Sequence, residues 1–329
     1  MTTPAKAAFI YSPQLAGHVL REDHPLRPHR LRIAYELLAA YGTFDEPGAL
    51  LATPRLATAE ELLPVHSAEY IEAVRLLSRG DEHVNAARYN FSAFGDNPPY
   101  PGMFEAALLS TGASLLAAEL VLSGDVRFAF NASGGLHHAM RDRASGFCVF
   151  NDPAVAIAHL VARGQRVAYV DIDAHHGDGV QAAFYASDQV LTVSIHESGR
   201  YLFPGTGEVR EVGESAGKGY SVNLPLLPYT DDDTYMWAFE ATVPPLLEAF
   251  APQVLVLQLG VDAHYLDPLA HLQLTTRAYS VILPRLLGLA PKVVALGGGG
   301  YDIAAAARVW ALEYGWMLGI DLPDQNPDS

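Results

Sequence analysis

Residues 169–179, YVDIDAHHGDG, begin as a run of aromatic and β-branched residues and end in three aspartates, two histidines and a pair of glycines. Asp171 and Asp173 are two apart, so on an extended strand they share a face, and His175 carries that direction into the following turn. Two carboxylates and an imidazole aimed at one point repel or desolvate badly unless a cation stands between them, and a divalent metal removes that penalty. A buried strand that ends in such a cluster fits the C-terminal edge of an open α/β sheet, where ligands bind.

Five more apolar runs recur: 7–12, 127–132, 189–196, 253–262 and 292–300, beside 166–173 itself. Most are continuously apolar rather than alternating, which predicts strands covered on both faces and hence a parallel sheet. Helical periodicity fills the intervals, for example over 101–122, 151–163, 229–250 and 301–318. Asp152 followed by Pro153 reads as an N-cap with proline at the first helical position. The expected fold class is α/β, a single domain over 1–329 with an open, mainly parallel sheet and helices on both faces. Segment 78–102 has little apolar periodicity and many turn formers, and reads as a long surface loop of the kind that carries function.

The strand ends concentrate the chemistry. Asn131-Ala-Ser-Gly-Gly-Leu-His137-His138 follows one run, Asp262 closes another, and Gly297 to Gly300 lead into Tyr301. Asp173, His175 and Asp262 are the candidate metal ligands, with an open position for water as in catalytic sites. A lone aspartate at a strand end is usually a cap or turn former, but five ionisable residues within eight are not explained by capping. His137 and His138 are placed to exchange protons, with Asp171 and Asp178 as carboxylates that fix their tautomers. Tyr301, protonated at neutral pH, is a candidate donor to an oxyanion. The glycine run is not a nucleotide loop, since G-x-G-x-x-G requires glycine at Asp302, and Gly217-Lys218 lacks the rest of a Walker pattern.

Composition narrows the class. Asp and Glu outnumber Lys and Arg by 37 to 21, for a net charge of −16, so nucleic acid and anionic membrane surfaces are poor ligands. No run of about 18 apolar residues stands out, and MTTPAKAAFIYSPQ lacks a basic region followed by a long apolar one, so a soluble, cytoplasmic protein is expected. Cys148, the only cysteine, excludes an intrachain disulfide and reads as a buried small hydrophobe.

These residues carry a family resemblance. HPLRPHRLR (24–32), GGLHHAMRDRASGFCVFND (134–152), YVDIDAHHGDGVQAAF (169–184), FPGTGEV (203–209), LQLGVDAHYLDPL (257–269) and LGGGGY (296–301) are similar, in order, to the arginase–deacetylase superfamily and within it to histone-deacetylase-like enzymes. DAHYLDPLAHLQLT (262–275) is most similar to the bacterial acetoin utilization branch. The resemblance implies a zinc-dependent hydrolase that removes acetyl from N-ε-acetyl-lysine. Zinc would be held by Asp173, His175 and Asp262, a donor set that also suits ferrous iron. His137 and His138 would handle protons, buttressed by Asp171 and Asp178, and Tyr301 would polarise the acetyl carbonyl. Phe147 and Phe203 would wall a narrow channel, with Gly146 and Gly299 beside them, Leu269 near the rim and Asp96 accepting from a peptide backbone. Asp171, Asp173, His175, Ser194 and Ile195 would form a monovalent-cation site for potassium.

The expected partners are acetylated proteins or peptides, with acetylated acetyl-coenzyme A synthetase implied by the acetoin utilization branch. Oligomeric state is left open. Binuclear ureohydrolases would need aspartate where this chain has Gly177 and His264, so a second metal lacks ligands. The chain ends soon after the final helix, so no regulatory tail is expected. Two rival readings stand beside the deacetylase: an acetylpolyamine or other small-molecule amidohydrolase with the same metal chemistry, and a catalytically silent acetyl-lysine-binding protein.

Overall fold

The computed structural model describes residues 6–17 and 19–323. Among the described residues, eight strands form one sheet: β1 Ala7–Ile10, β2 Ala49–Ala52, β3 Phe128–Asn131, β4 Val167–Asp171, β5 Val190–Glu197, β6 Ser221–Leu226, β7 Val254–Gln258 and β8 Val293–Leu296. Their order is β2-β1-β3-β8-β7-β4-β5-β6, and every neighbouring pair is parallel. The described helices include α1 His29–Ala40, α2 Ala59–Leu62, α3 Ala68–Ser78, α4 Met103–Ser123, α5 Asp152–Val161, α6 Asp178–Phe184, α7 Asp232–Phe250, α8 Thr276–Leu287 and α9 Ile303–Leu318.

Alternation along each strand feeds two cores. On β4, Ala168 and Val170 face a cluster that holds Leu31 of α1, Phe239 of α7, Ile282 of α8 and Trp310 of α9. Val167 and Tyr169 face a second cluster with Tyr70 of α3, Leu115 of α4 and Ile157 of α5. Both faces are thus covered, as continuous apolar runs require. β2 and β6, absent from the sequence reading, are the two sheet edges. Their residues are mostly half-buried, so they lack the continuous apolar signal, and Pro225 in β6 is a residue that edges tolerate.

Three local expectations need correction. β4 stops at Asp171, so Asp173 lies beyond the strand. The α5 cap is Asn151, whose side chain accepts from the Ala154 N–H at 3.0 Å; Asp152 instead turns inward. Finally, α4 is long and apolar enough to cross a membrane, although 67% of that apolar stretch is buried inside the fold.

Register explains where the site forms. Asn131 pairs with Leu296, Leu296 with Gln258 and Gln258 with Asp171. The last residues of four central strands therefore stand in one row, and the loops that leave them converge.

Candidate metal-centred active site

Asp173, His175 and Asp262 are buried and offer ligand atoms that all lie within 4.8 Å of one another. His175 Nδ1 is 3.1 Å from Asp173 Oδ1 and 2.8 Å from Asp262 Oδ2. Nδ1 carries at most one proton and cannot serve both carboxylates fully. The other oxygen of each carboxylate is already used: Asp173 Oδ2 accepts from Gln258 Nε2 at 2.7 Å and the Gly299 N–H at 2.8 Å, and Asp262 Oδ1 accepts from the Ala174 N–H at 2.7 Å. Asp173 Oδ1, which also accepts from the His175 N–H at 3.0 Å, Asp262 Oδ2 and one ring nitrogen are aimed at a common point, a donor set that fits a divalent cation. Burial and the Asp173 charge push the Asp262 carboxyl above its ordinary range, the repulsion a cation relieves. A Cβ on Gly299 would stand 2.0 Å from Asp262 Oδ2, so only glycine lets the chain pass this close.

Beside this triad lie two histidines. His137 Nδ1 bonds Asp171 Oδ2 and His138 Nδ1 bonds Asp178 Oδ1, both at 2.7 Å, while the two Nε2 atoms are 3.0 Å apart. Burial opposes a charge on His137, but the Asp171 and Asp173 carboxylates overcome it and raise the imidazole to about 9. Burial and the neighbouring His137 charge depress His138 to about 4 despite Asp178. His137 is therefore the more basic member of the pair and His138 the less basic. The next element fixes their loop: Asn151 Nδ2 donates to the carbonyls of His137 and Ala139, and Asp152 accepts from the N–H groups of Gly135 and Leu136.

Tyr301 lines the same cleft as His137, His138 and Asp173. Burial, with the Asp262 and Asp173 charges, pushes its phenol well above the usual range, which keeps it a donor. Phe147 stands edge-on to Tyr301 at 5.7 Å, and Phe203 edge-on to His138 at 5.0 Å. Phe147 also packs on His24 at 4.6 Å, whose Nε2 lies 3.1 Å from the Asp96 carbonyl, so the exposed Asp96 is tied to the wall of the cleft. Leu269 is half-buried. Ser194 pairs with Asp171 across β4 and β5 and bonds His196 Nδ1 at 2.8 Å, with buried Ile195 next in the strand.

Several contributors were missed by the sequence reading. The Tyr169 hydroxyl donates to Asp171 Oδ2 at 2.6 Å, and buried Arg30 donates to the Gly298 and Gly300 carbonyls, each at 2.7 Å. Gln258 had a visible signal, a polar residue inside the apolar run VLVLQLGVD. Cys148 is buried as expected, and burial pushes its thiol up.

The profile of the histone deacetylase domain matches residues 24–316. The chain is 44% identical to the acetoin utilization protein AcuC of Bacillus subtilis (strain 168), over 98% of this chain and 84% of that protein. It is 38% identical to histone deacetylase 1 of Homo sapiens, over 99% of this chain and 67% of that protein. The solved structure of a histone deacetylase homologue from Aquifex aeolicus superposes with a TM-score of 0.91 at 37% identity, covering 98% of this chain and 86% of that one. With its parallel eight-stranded sheet and convergent strand ends, the chain belongs to the histone deacetylase family of hydrolases, on the arginase/deacetylase fold.

Proposed function

We propose that this protein removes acetyl groups from N-ε-acetyl-lysine in proteins or peptides, with zinc or ferrous iron held by Asp173, His175 and Asp262. The observation that carries the reading is the meeting, in one cleft, of that buried donor triad with two carboxylate-backed histidines and a protonated tyrosine. The bound metal supplies Lewis-acid polarisation of the acetyl carbonyl and of a water molecule.

The side chains do the remaining work. His138 takes the proton of the attacking water at Nε2, with its Nδ1–H held by Asp178. His137, fixed by Asp171, lies beside it and shares the proton between the two Nε2 atoms. The Tyr301 hydroxyl donates to the acetyl oxygen as charge develops on it. The C–N bond then breaks and the amine leaves with the proton from His138, giving acetate and lysine. Phe147 and Phe203 make an apolar channel suited to the neutral acetyl-lysine stem, and the charged product amine is disfavoured there. Asp96 accepts from a peptide backbone at the rim. The backbone of Asp171, Asp173 and His175, with Ser194 and Ile195, would hold a potassium ion at the strand ends. The similarity to an acetoin utilization protein makes acetylated acetyl-coenzyme A synthetase the proposed protein substrate.

The test compares kcat/KM of the metal-loaded protein on acetyl-lysine peptides and on free N-acetylpolyamines. Faster turnover of peptides is expected. Faster turnover of acetylpolyamines would assign the chain to small-molecule amidohydrolases, drawn to cations by a net charge of −16.

A further inference from the structure

The peptide unit that joins Gly300 to Tyr301 is gripped at both ends. Its carbonyl accepts from Arg30 Nη1 at 2.7 Å, and its N–H donates to Asp267 Oδ2 at 2.7 Å. A cation at the carbonyl and an anion at the N–H both reinforce the peptide dipole, so these are charge-assisted bonds that hold the plane of this unit. That plane sets the direction of the Tyr301 side chain. The preceding residues 297–300 are all glycine and offer no side chain to pack, with φ of 145° at Gly298 and 131° at Gly300.

Asp267 reaches further than Tyr301. Its Oδ1 accepts from the Leu269 N–H at 2.9 Å, and its own N–H donates to the His264 carbonyl at 2.8 Å. The side chain belongs to a residue only 9% exposed, five positions beyond Asp262 and two before Leu269. One buried carboxylate thus bridges the backbone of half-buried Leu269 to the backbone of Tyr301.

We infer that Asp267 is a positioning residue: its carboxylate aims the Tyr301 hydroxyl and couples that aim to the Leu269 backbone. The inference rests on the reading of Tyr301 as the oxyanion donor. The alternative is a loop staple with no bearing on Tyr301, and the two differ in whether the effects of residues 267 and 301 interact.

The experiment is a double-mutant cycle on an acetyl-lysine peptide, using zinc-loaded wild type, Asp267→Asn, Tyr301→Phe and the double variant, with metal content measured for each. Asparagine offers one accepting oxygen where the carboxylate offers two, so one of the two N–H groups loses its partner. Asp267→Asn is expected to lower kcat by about 10- to 100-fold in the wild-type background, from misplacement of the hydroxyl, with metal content unchanged. In the Tyr301→Phe background, with no hydroxyl to aim, the further loss should be under about 2-fold on the same argument. Equal fold losses in both backgrounds would overturn the inference and leave Asp267 a loop staple. Wild-type turnover in Tyr301→Phe would instead refute the oxyanion role itself, a distinct failure that removes the inference with it. If Asp267→Asn does not fold, Asp267→Glu, which keeps the charge but moves the carboxylate by one methylene, takes its place in the cycle with the same two outcomes.

Discussion

Gly146 shows how little slack the centre has. Its φ is +49°, and a Cβ there would stand 2.4 Å from His138 Cδ2 and 2.9 Å from Phe203 Cε1. Alanine must therefore displace the proposed base or the channel wall. Gly146→Ala is expected to cut deacetylation by about 100-fold or more, since small misplacements at a reacting centre are costly, while leaving metal content intact. Steady-state kinetics with metal analysis checks this, and wild-type turnover would remove His138 and Phe203 from the account. Much of the residue-level pattern was legible in the sequence because ionisable side chains at the ends of apolar runs demand an explanation. Asp171, Asp173, His175, Asp262 and the His137–His138 pair all fall in such places, and the structure brings them together. Tyr169 and Asp267 were not legible, because their value lies in partners across loops: Asp171 Oδ2 for one and the N–H of Tyr301 for the other. Asp152 was misread because an aspartate before proline resembles a cap, whereas Asn151 caps α5 and Asp152 serves Gly135 and Leu136.

At the level of elements, the loop between α2 and α3 contributes a brace. His66 is fully buried; its Nδ1–H donates to the Met140 carbonyl and its Nε2 accepts from the Asn151 N–H, both at 2.9 Å. It thereby ties the start of α5 to the loop that carries the two site histidines. Burial depresses its imidazole from 6.5 to about 4. The unfolded chain binds this proton near 6.5 and the folded chain only near 4, so stability falls as the pH drops through that window and levels off below it. The loss from this residue is about 3 kcal/mol in all. Urea unfolding at pH 7 and pH 4 should show a fall larger in wild type than in His66→Gln by roughly that amount; identical pH dependence would refute the assignment. Strands were legible where both faces are buried and illegible at the edges. The four-residue β2 and the proline-bearing β6 carry no continuous apolar run, so their place came only from pairing with β1 and β5.

For the whole molecule, two cores on either side of a parallel sheet hold four central strand ends in one row, and that row is the foundation of the site. The fold class followed from apolar runs alternating with helical periodicity. The strand order β2-β1-β3-β8-β7-β4-β5-β6 did not, because crossovers leave no local mark in a sequence. That order makes neighbours of β3, β8, β7 and β4, whose loops bring His137, Tyr301, Asp262 and Asp173 together from positions 164 residues apart at the extremes. Removal of acetyl from lysine is proposed to depend on a metal held by the buried triad. Its most direct test is deacetylation of a fluorogenic acetyl-lysine peptide by metal-stripped protein, before and after addition of zinc or, anaerobically, ferrous iron, with Asp173→Ala alongside. Metal should restore activity in wild type and not in Asp173→Ala. Silence with both metals, or equal activity in the variant, would contradict it.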